Sequence, residues 1–164
     1  MVAYHGLQCR FYKSRKKMSY QIYLTENWPY ERMKRYSGNL TEAMKKIARR
    51  FPDDISFQTM AEEIASGERQ LWIIVDEKEN FVAFVTSHIE ILASGKKRVE
   101  LLELAGHGGE KIADMIEPIE EWAKTIGASE ICPIGRIGWS KIMRAHGYRP
   151  SVVKYRKELN NGRK

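Results

Sequence analysis

The sequence predicts an α/β domain, and three stretches carry that reading. Leu71-Trp72-Ile73-Ile74-Val75 is a short, fully apolar strand; Glu77–Asn80 is a turn, and Phe81–Ile91 is a longer strand that becomes mixed at Ser87, His88 and Glu90. Together they read as an antiparallel hairpin. Arg98 to Tyr148 alternates strand, glycine turn, helix, strand and helix. Between these and the N-terminus, two apolar stripes recur at helical spacing.

A chain of 164 residues suits one domain with one core. We divide it into a basic, disordered extension over 1–17, a folded unit over 18–158 and a basic tail over 159–164. The net charge of +7 is uneven. Arg10, Lys13, Arg15, Lys16 and Lys17 face no acid in the first segment, and Lys154, Arg156, Lys157, Arg163 and Lys164 face only Glu158 at the other end. The rest of the chain is slightly acidic. Basic ends of this kind are either solvated tails or surfaces for nucleic acid. Met18 is a second candidate start, which makes 1–17 an upstream extension. Cys9 and Cys132 are far apart with no CxxC, which predicts neither a disulfide framework nor a zinc site, and reduced thiols in a cytoplasmic setting. No apolar run approaches the ~20 residues of a membrane span, and no apolar stretch follows the N-terminal basic residues as in a secretory signal.

In chain order, Tyr20, Ile22 and Leu24 alternate with polar residues as a first strand, which Trp28-Pro29 breaks. A helix begins at Thr41-Glu42, with Leu40, Met44, Ile47, Ala48 and Phe51 on one face and Pro52 ending it. A second spans Ser56–Ala65, with Gly67 as its C′ residue. After the hairpin, Arg98–Leu104 is a strand with apolar Val99, Leu101, Leu102 and Leu104 and carboxylates at Glu100 and Glu103. Strand alternation places those two carboxylates, three apart, on opposite faces. Glu110–Ile126 carries a core stripe at Ile112, Met115, Ile116, Ile119, Trp122, Ala123 and Ile126. Pro118 inside it predicts a kink or a second segment. Glu130–Ile134 is a strand, Gly138–His146 a last helix ended by Gly147, and Val152–Tyr155 a strand closing the sheet.

Gly106-His107-Gly108-Gly109, between a strand and a helix, is the arrangement that aims backbone N–H groups at a phosphate. Arg136, Lys141, Arg144 and Arg149 near the last helix are further groups for an anion.

This order of elements resembles the GNAT family of N-acetyltransferases over roughly residues 18–158. The last part is most similar to phage-encoded GNAT-like proteins, through Leu104-Ala105-Gly106, Glu120-Glu121-Trp122-Ala123, Gly135-Arg136-Ile137-Gly138-Trp139 and His146-Gly147-Tyr148-Arg149-Pro150. The resemblance implies a central, mixed, mostly antiparallel sheet flanked by helices on both faces. It also implies an acyl-CoA pocket, with acetyl-CoA as cofactor: Leu102 and Leu104 would meet pantetheine, and Gly106, His107, Gly108 and Gly109 the phosphates. Acyl transfer then needs a base for the acceptor amine, donors for the oxyanion and an acid for the thiolate. Glu103 or Glu100 is the candidate base, His88 a further one, N–H groups near Leu104 the oxyanion donors, and Tyr148 the candidate acid.

Three positions depart from the family pattern. The Arg or Gln that leads its glycine motif is missing here, and Glu110 follows the turn. Met143 stands where the family carries its proton-donating tyrosine. The leading expectation is a GNAT-like N-acyltransferase acting on an amine, in the host cytoplasm if phage encoded. A catalytically inactive binding or virion-associated protein, or a Mom-type DNA-modifying protein whose basic ends engage DNA, are the alternatives.

Overall fold

The computed structural model describes residues 19–159. The readings of 1–17 and of 160–164 lie outside the described residues. Five strands form one sheet: β1 (Gln21–Leu24), β2 (Arg69–Val75), β3 (Phe81–Ile91), β4 (Lys97–Gly106) and β5 (Ala128–Pro133). Their order in space is their order in the chain. The first three pairings are antiparallel, and β4–β5 is parallel. The expected mixed, mostly antiparallel sheet is therefore present, with helices on both faces.

β2 is a continuous apolar run because both of its faces are covered. Leu71, Ile73 and Val75, with Phe84 of β3, pack against Tyr36, Leu40 and Met44 of helix α1 (Tyr30–Arg50) and Met60 of helix α2 (Phe57–Ser66). Trp72 and Ile74, with Val82, Val99 and Leu101, pack on the opposite layer, Ile112, Ile116, Ile119 and Ala123. The Trp72 ring meets Trp122 edge-on at 5.0 Å, and its indole N–H donates to Ser87 Oγ at 2.9 Å. That bond satisfies the one polar atom of a buried tryptophan.

α2 follows its sequence signals: the Ser56 hydroxyl accepts from the Thr59 N–H, and Gly67 takes the left-handed conformation at the far end. α1 is longer than expected. It begins at Tyr30, not at Thr41, because its apolar stripe continues back from Leu40 to Tyr36. Ser37-Gly38-Asn39 resembles a turn in sequence but is an exposed stretch of helix. Two clamps hold this first half. Arg32 stacks on Trp28 at 4.0 Å and on Tyr23 at 4.7 Å. Tyr36 donates its hydroxyl hydrogen to Glu79 O, and Arg35 pairs with the Glu79 carboxylate at 3.0 Å.

The expected helix over Glu110–Ile126 is two pieces. Gly109–Met115 is a 3-10 helix, and α3 (Ile116–Thr125) begins after it. Pro118 sits in the first turn of α3, where its missing N–H removes no intrahelical bond. After β5, a 3-10 turn (Ile137–Trp139) leads into the short helix α4 (Ser140–Ala145). The expected closing strand at Val152–Tyr155 does not form: residues 149–159 have no regular structure, and the sheet ends at β5 among the described residues. The tail runs instead to the α1–α2 loop, where Arg156 and Lys154 reach Asp54. No helix of the described residues is long and apolar enough to cross a membrane.

Candidate functional site

The site is built around an irregularity in β4. Val85 pairs with Leu104 and Ser87 with Leu101, so Thr86 alone stands opposite two residues, Leu102 and Glu103. This is a β-bulge, and it shifts side-chain parity along the strand. His88 pairs with Glu100, and the Thr86 hydroxyl bonds the Glu103 carboxylate. Thr86 and His88 are two apart and share a face. Glu100 and Glu103 therefore lie on the same face, not on opposite ones.

The second consequence of the bulge concerns the main chain. β4 and β5 pair in parallel from Lys97↔Ala128 to Leu101↔Pro133, and the Ile134 N–H still donates to Leu101 O at 2.8 Å. There the strands part. β4 continues to Gly106 with only β3 beside it, while the chain after Pro133 leaves the sheet. The His107 N–H donates to Val82 O at 2.8 Å. Alternation back from it turns Ala105 toward β3 and the main-chain groups of Leu104 and Gly106 toward the open wedge. Leu104, 37% exposed, and Ile134, 60% exposed, flank it.

At the top of the wedge the glycine turn fits closely against β3. Gly106 has φ +149°, and a Cβ there would lie 2.6 Å from Ala83 Cβ and closer still to Val82 O. His107 is exposed, and its Nε2 lies 3.1 Å from Phe81 O, which ties the turn to the start of β3. Gly108 and Gly109 carry positive φ, and Glu110 lies in the first turn of the 3-10 helix that Gly109 opens. The α-helical N-terminus expected at this turn is displaced to Ile116.

On the α1–α2 face, Glu103 is the centre of a polar cluster. Its Oε2 accepts from Arg69 Nη1 at 2.6 Å and from the Thr86 hydroxyl, and Thr86 Oγ1 accepts from the Glu103 N–H at 3.2 Å. Arg69 Nη2 pairs with Glu63 of α2. The Arg69 and Glu103 side chains are only 14% and 10% exposed. Both contacts fall on one carboxylate oxygen, and the other makes no hydrogen bond among the described residues. His88, half-buried, stands in register with Arg69 on one side and Glu100 on the other. A cavity of about 210 Å³ opens onto this cluster, lined by Asp54, Ile55, Ser56, Thr59, Met60, Arg69 and Glu103.

Arg136 does not gather with the other cations of the last helix; its guanidinium stacks on Phe51 at 4.6 Å, beside the same loop. Asp54 is held below the usual carboxylate range, chiefly by its hydrogen bond from Arg156. The sequence singled out Glu103 but gave no sign of Arg69, Thr86, Glu63 or Asp54 around it. Only the fold brings these residues together, from four separate elements and a loop.

Tyr148 lies on the other side of the sheet, packed with Met143 against the α3 layer. Its hydroxyl donates to Glu120 Oε1 at 2.6 Å. Burial, then this carboxylate, raises the phenol well above its ordinary value. Tyr148 thus keeps its proton in the folded state. Below about pH 10, the unfolded phenol is protonated too, and the contribution to stability is whole; above that, only the unfolded phenol ionises and the contribution is lost. Denaturant titrations on either side of pH 10 are expected to show a steeper alkaline loss for the natural protein than for Tyr148→Phe.

No protein-family model matches the chain, and no curated protein matches it in sequence. Solved structures do. A putative acetyltransferase from Pyrococcus furiosus superposes with a TM-score of 0.61 at 18% identity, over 86% of this chain and 100% of that one. Glucosamine-6-phosphate N-acetyltransferase from Arabidopsis thaliana gives 0.60 at 13%, over 87% and 99%. An aminoglycoside acetyltransferase from an uncultured soil metagenomic sample gives 0.60 at 12%, over 87% and 100%. What this chain shares with them is the fold, a mixed and mostly antiparallel sheet of the GNAT type with helices on both faces.

Proposed function

We propose that the protein is an N-acyltransferase that takes an acyl-CoA, acetyl-CoA first, in the wedge between β4 and β5 and an amine in the cavity beside Glu103. The observation that carries this reading is the parting of β4 from β5 after Leu101 and Pro133, directly beside the bulge that sets Glu103. The residues present fit the ligand's arm: Leu104 and Gly106 offer main-chain groups, and Leu104 and Ile134 offer apolar walls. Of the turn glycines, Gly109 faces open space at the phosphate end, while Gly106 and Gly108 lie close against β3 and Ile112, and Glu110 opposes the anion. His107 braces the turn through Phe81 O in this reading.

The bound acyl-CoA supplies the activated carbonyl. The Leu104 N–H donates to the carbonyl oxygen, and Leu102 helps to line the wedge. Glu103, with one oxygen uncommitted, takes the proton of the incoming ammonium so that the amine is nucleophilic. His88 is the second base candidate on the same face. Tyr148, expected as the acid, lies across the sheet from Glu103 with its hydroxyl proton given to Glu120, and a raised phenol is a weaker acid, so in this reading the departing thiolate takes its proton from solvent.

Thermal unfolding with and without acetyl-CoA tests the reading, with desulfo-CoA as control. A ligand that binds only the folded chain adds about 2.7 kcal/mol at a hundred times its dissociation constant. We expect an upward shift with both. No shift at millimolar concentrations of either would leave the glycine turn as a turn and the fold as a scaffold.

A further inference from the structure

The cavity beside Glu103 has a second carboxylate at its lining, and that carboxylate is already engaged. Asp54 Oδ1 and Oδ2 accept from Arg156 Nη2 at 2.7 and 2.9 Å, and Lys154 Nζ lies 3.9 Å from Oδ1. These cations come from the far end of the chain, along a segment that otherwise stands free of the domain. Val152 is 86% exposed, Tyr155 91% and Leu159 82%. Lys154 and Arg156, two residues apart, both reach the Asp54 carboxylate and so lie on one side of the segment. The cavity lining is acidic on balance: Asp54 and Glu103 line it with Arg69, which Glu63 also engages.

We propose that this cavity takes a basic peptide segment as its acceptor, with Asp54 as the docking carboxylate, and that the chain's own 150–159 segment is an internal competitor for that carboxylate. This deepens the reading above and rests on it for the word acceptor. The binding itself does not depend on any acyl transfer. Salt bridges between exposed groups are individually weak, which suits a segment that yields to a substrate. The specificity it predicts is for a lysine with a second cation two residues away. A free small amine has nothing to place on Asp54 while its reacting nitrogen faces Glu103.

The test uses a fluorescent synthetic peptide of residues 149–159 as probe, added to the full chain, to the chain ending at Pro150, and to Asp54→Asn and Arg156→Ala. The expected result is weak binding to the full chain and about fivefold tighter binding once the tail or Arg156 is removed, the scale of one exposed ion pair. Asp54→Asn is expected to lose the peptide, and a peptide with Lys154 and Arg156 both replaced by glutamine is expected not to bind. Equal affinity for the full and shortened chains, or full affinity in Asp54→Asn, overturns the proposal. Melting curves of each variant establish that it is folded. The acetyl-CoA shift, measured on the same samples, separates the two readings: a shift without peptide binding sinks the basic-peptide proposal and leaves the acyltransferase, and peptide binding without a shift sinks the acyltransferase alone.

Discussion

Gly106→Ala is expected to cost the domain about 3 kcal/mol, the sum of a strained backbone and a steric intrusion. The added Cβ would meet Val82 O and the Cα and Cβ of Ala83. Two of those atoms are main chain of a central strand and cannot turn aside, as a flexible side chain can. The φ of +149° is also one that side chains rarely adopt. Gly109 provides the comparison. It has φ +62°, and its Cβ would meet nothing within 4 Å, so Gly109→Ala carries only the left-handed penalty of about 1–2 kcal/mol. Urea titration reads both as a lower midpoint at unchanged slope. Equal losses at the two positions would show that close approach to β3 is not what selects glycine at 106.

Arg69→Leu is expected to be as damaging, at about 3–5 kcal/mol, because it leaves Glu103 and Glu63 facing each other without their shared cation. The Arg69 and Glu103 side chains are 14% and 10% exposed, so the carboxylate is left largely desolvated apart from the side that opens onto the cavity. The double variant Arg69→Leu with Glu103→Leu is expected to recover much of the loss, as replacing a whole buried pair by apolar groups commonly does. Chemical denaturation of the two single variants and the double closes that cycle. Glu103→Gln separates structure from chemistry: it retains size and hydrogen-bonding atoms, yet an amide is no base. Under the proposed function, its turnover falls by roughly 10²- to 10⁴-fold. A Glu103→Gln protein with undiminished turnover would move the base to His88 or to water.

The parts of this molecule that were legible in its sequence are those decided locally or by burial on both faces. β2 and the first half of β3 are continuous apolar runs because helices cover each side, and β3 has the limits its sequence suggested, Phe81–Ile91. Ser56 and Gly67 mark α2 because a cap and a left-handed C′ position are chemical requirements of one residue each. Pro118 marks a break for the same reason. The first half of α1 was hidden by Ser37-Gly38-Asn39, which tertiary packing of Tyr36 overrides.

The site was half legible. Glu103 is visible as a carboxylate on a strand before a glycine turn. Its surroundings are not, because the bulge at Leu102-Glu103 has no signature within β4 and is a matter of register against Thr86. Period-two counting across a bulge assigns the wrong face to Glu100 or Glu103. The tail is the extreme case: Arg156 and Asp54 are 102 positions apart. No window along the chain contains both.

The agreement between spatial and sequential strand order has a bearing on synthesis. A chain growing from its N-terminus offers β2 an edge at β1, then β3 an edge at β2, then β4 an edge at β3, so each newcomer docks on the strand made just before it. β5 breaks the series. It is parallel to β4, and so waits for the 3-10 segment and α3 to be made and laid across the sheet. Pulse-labelled amides on stalled chains should become protected in that order, with Ile131 and Cys132 last. The wedge beside β5 is then the last part of the sheet to form, and under the proposed function a nascent chain holds most of its core before it can hold a ligand.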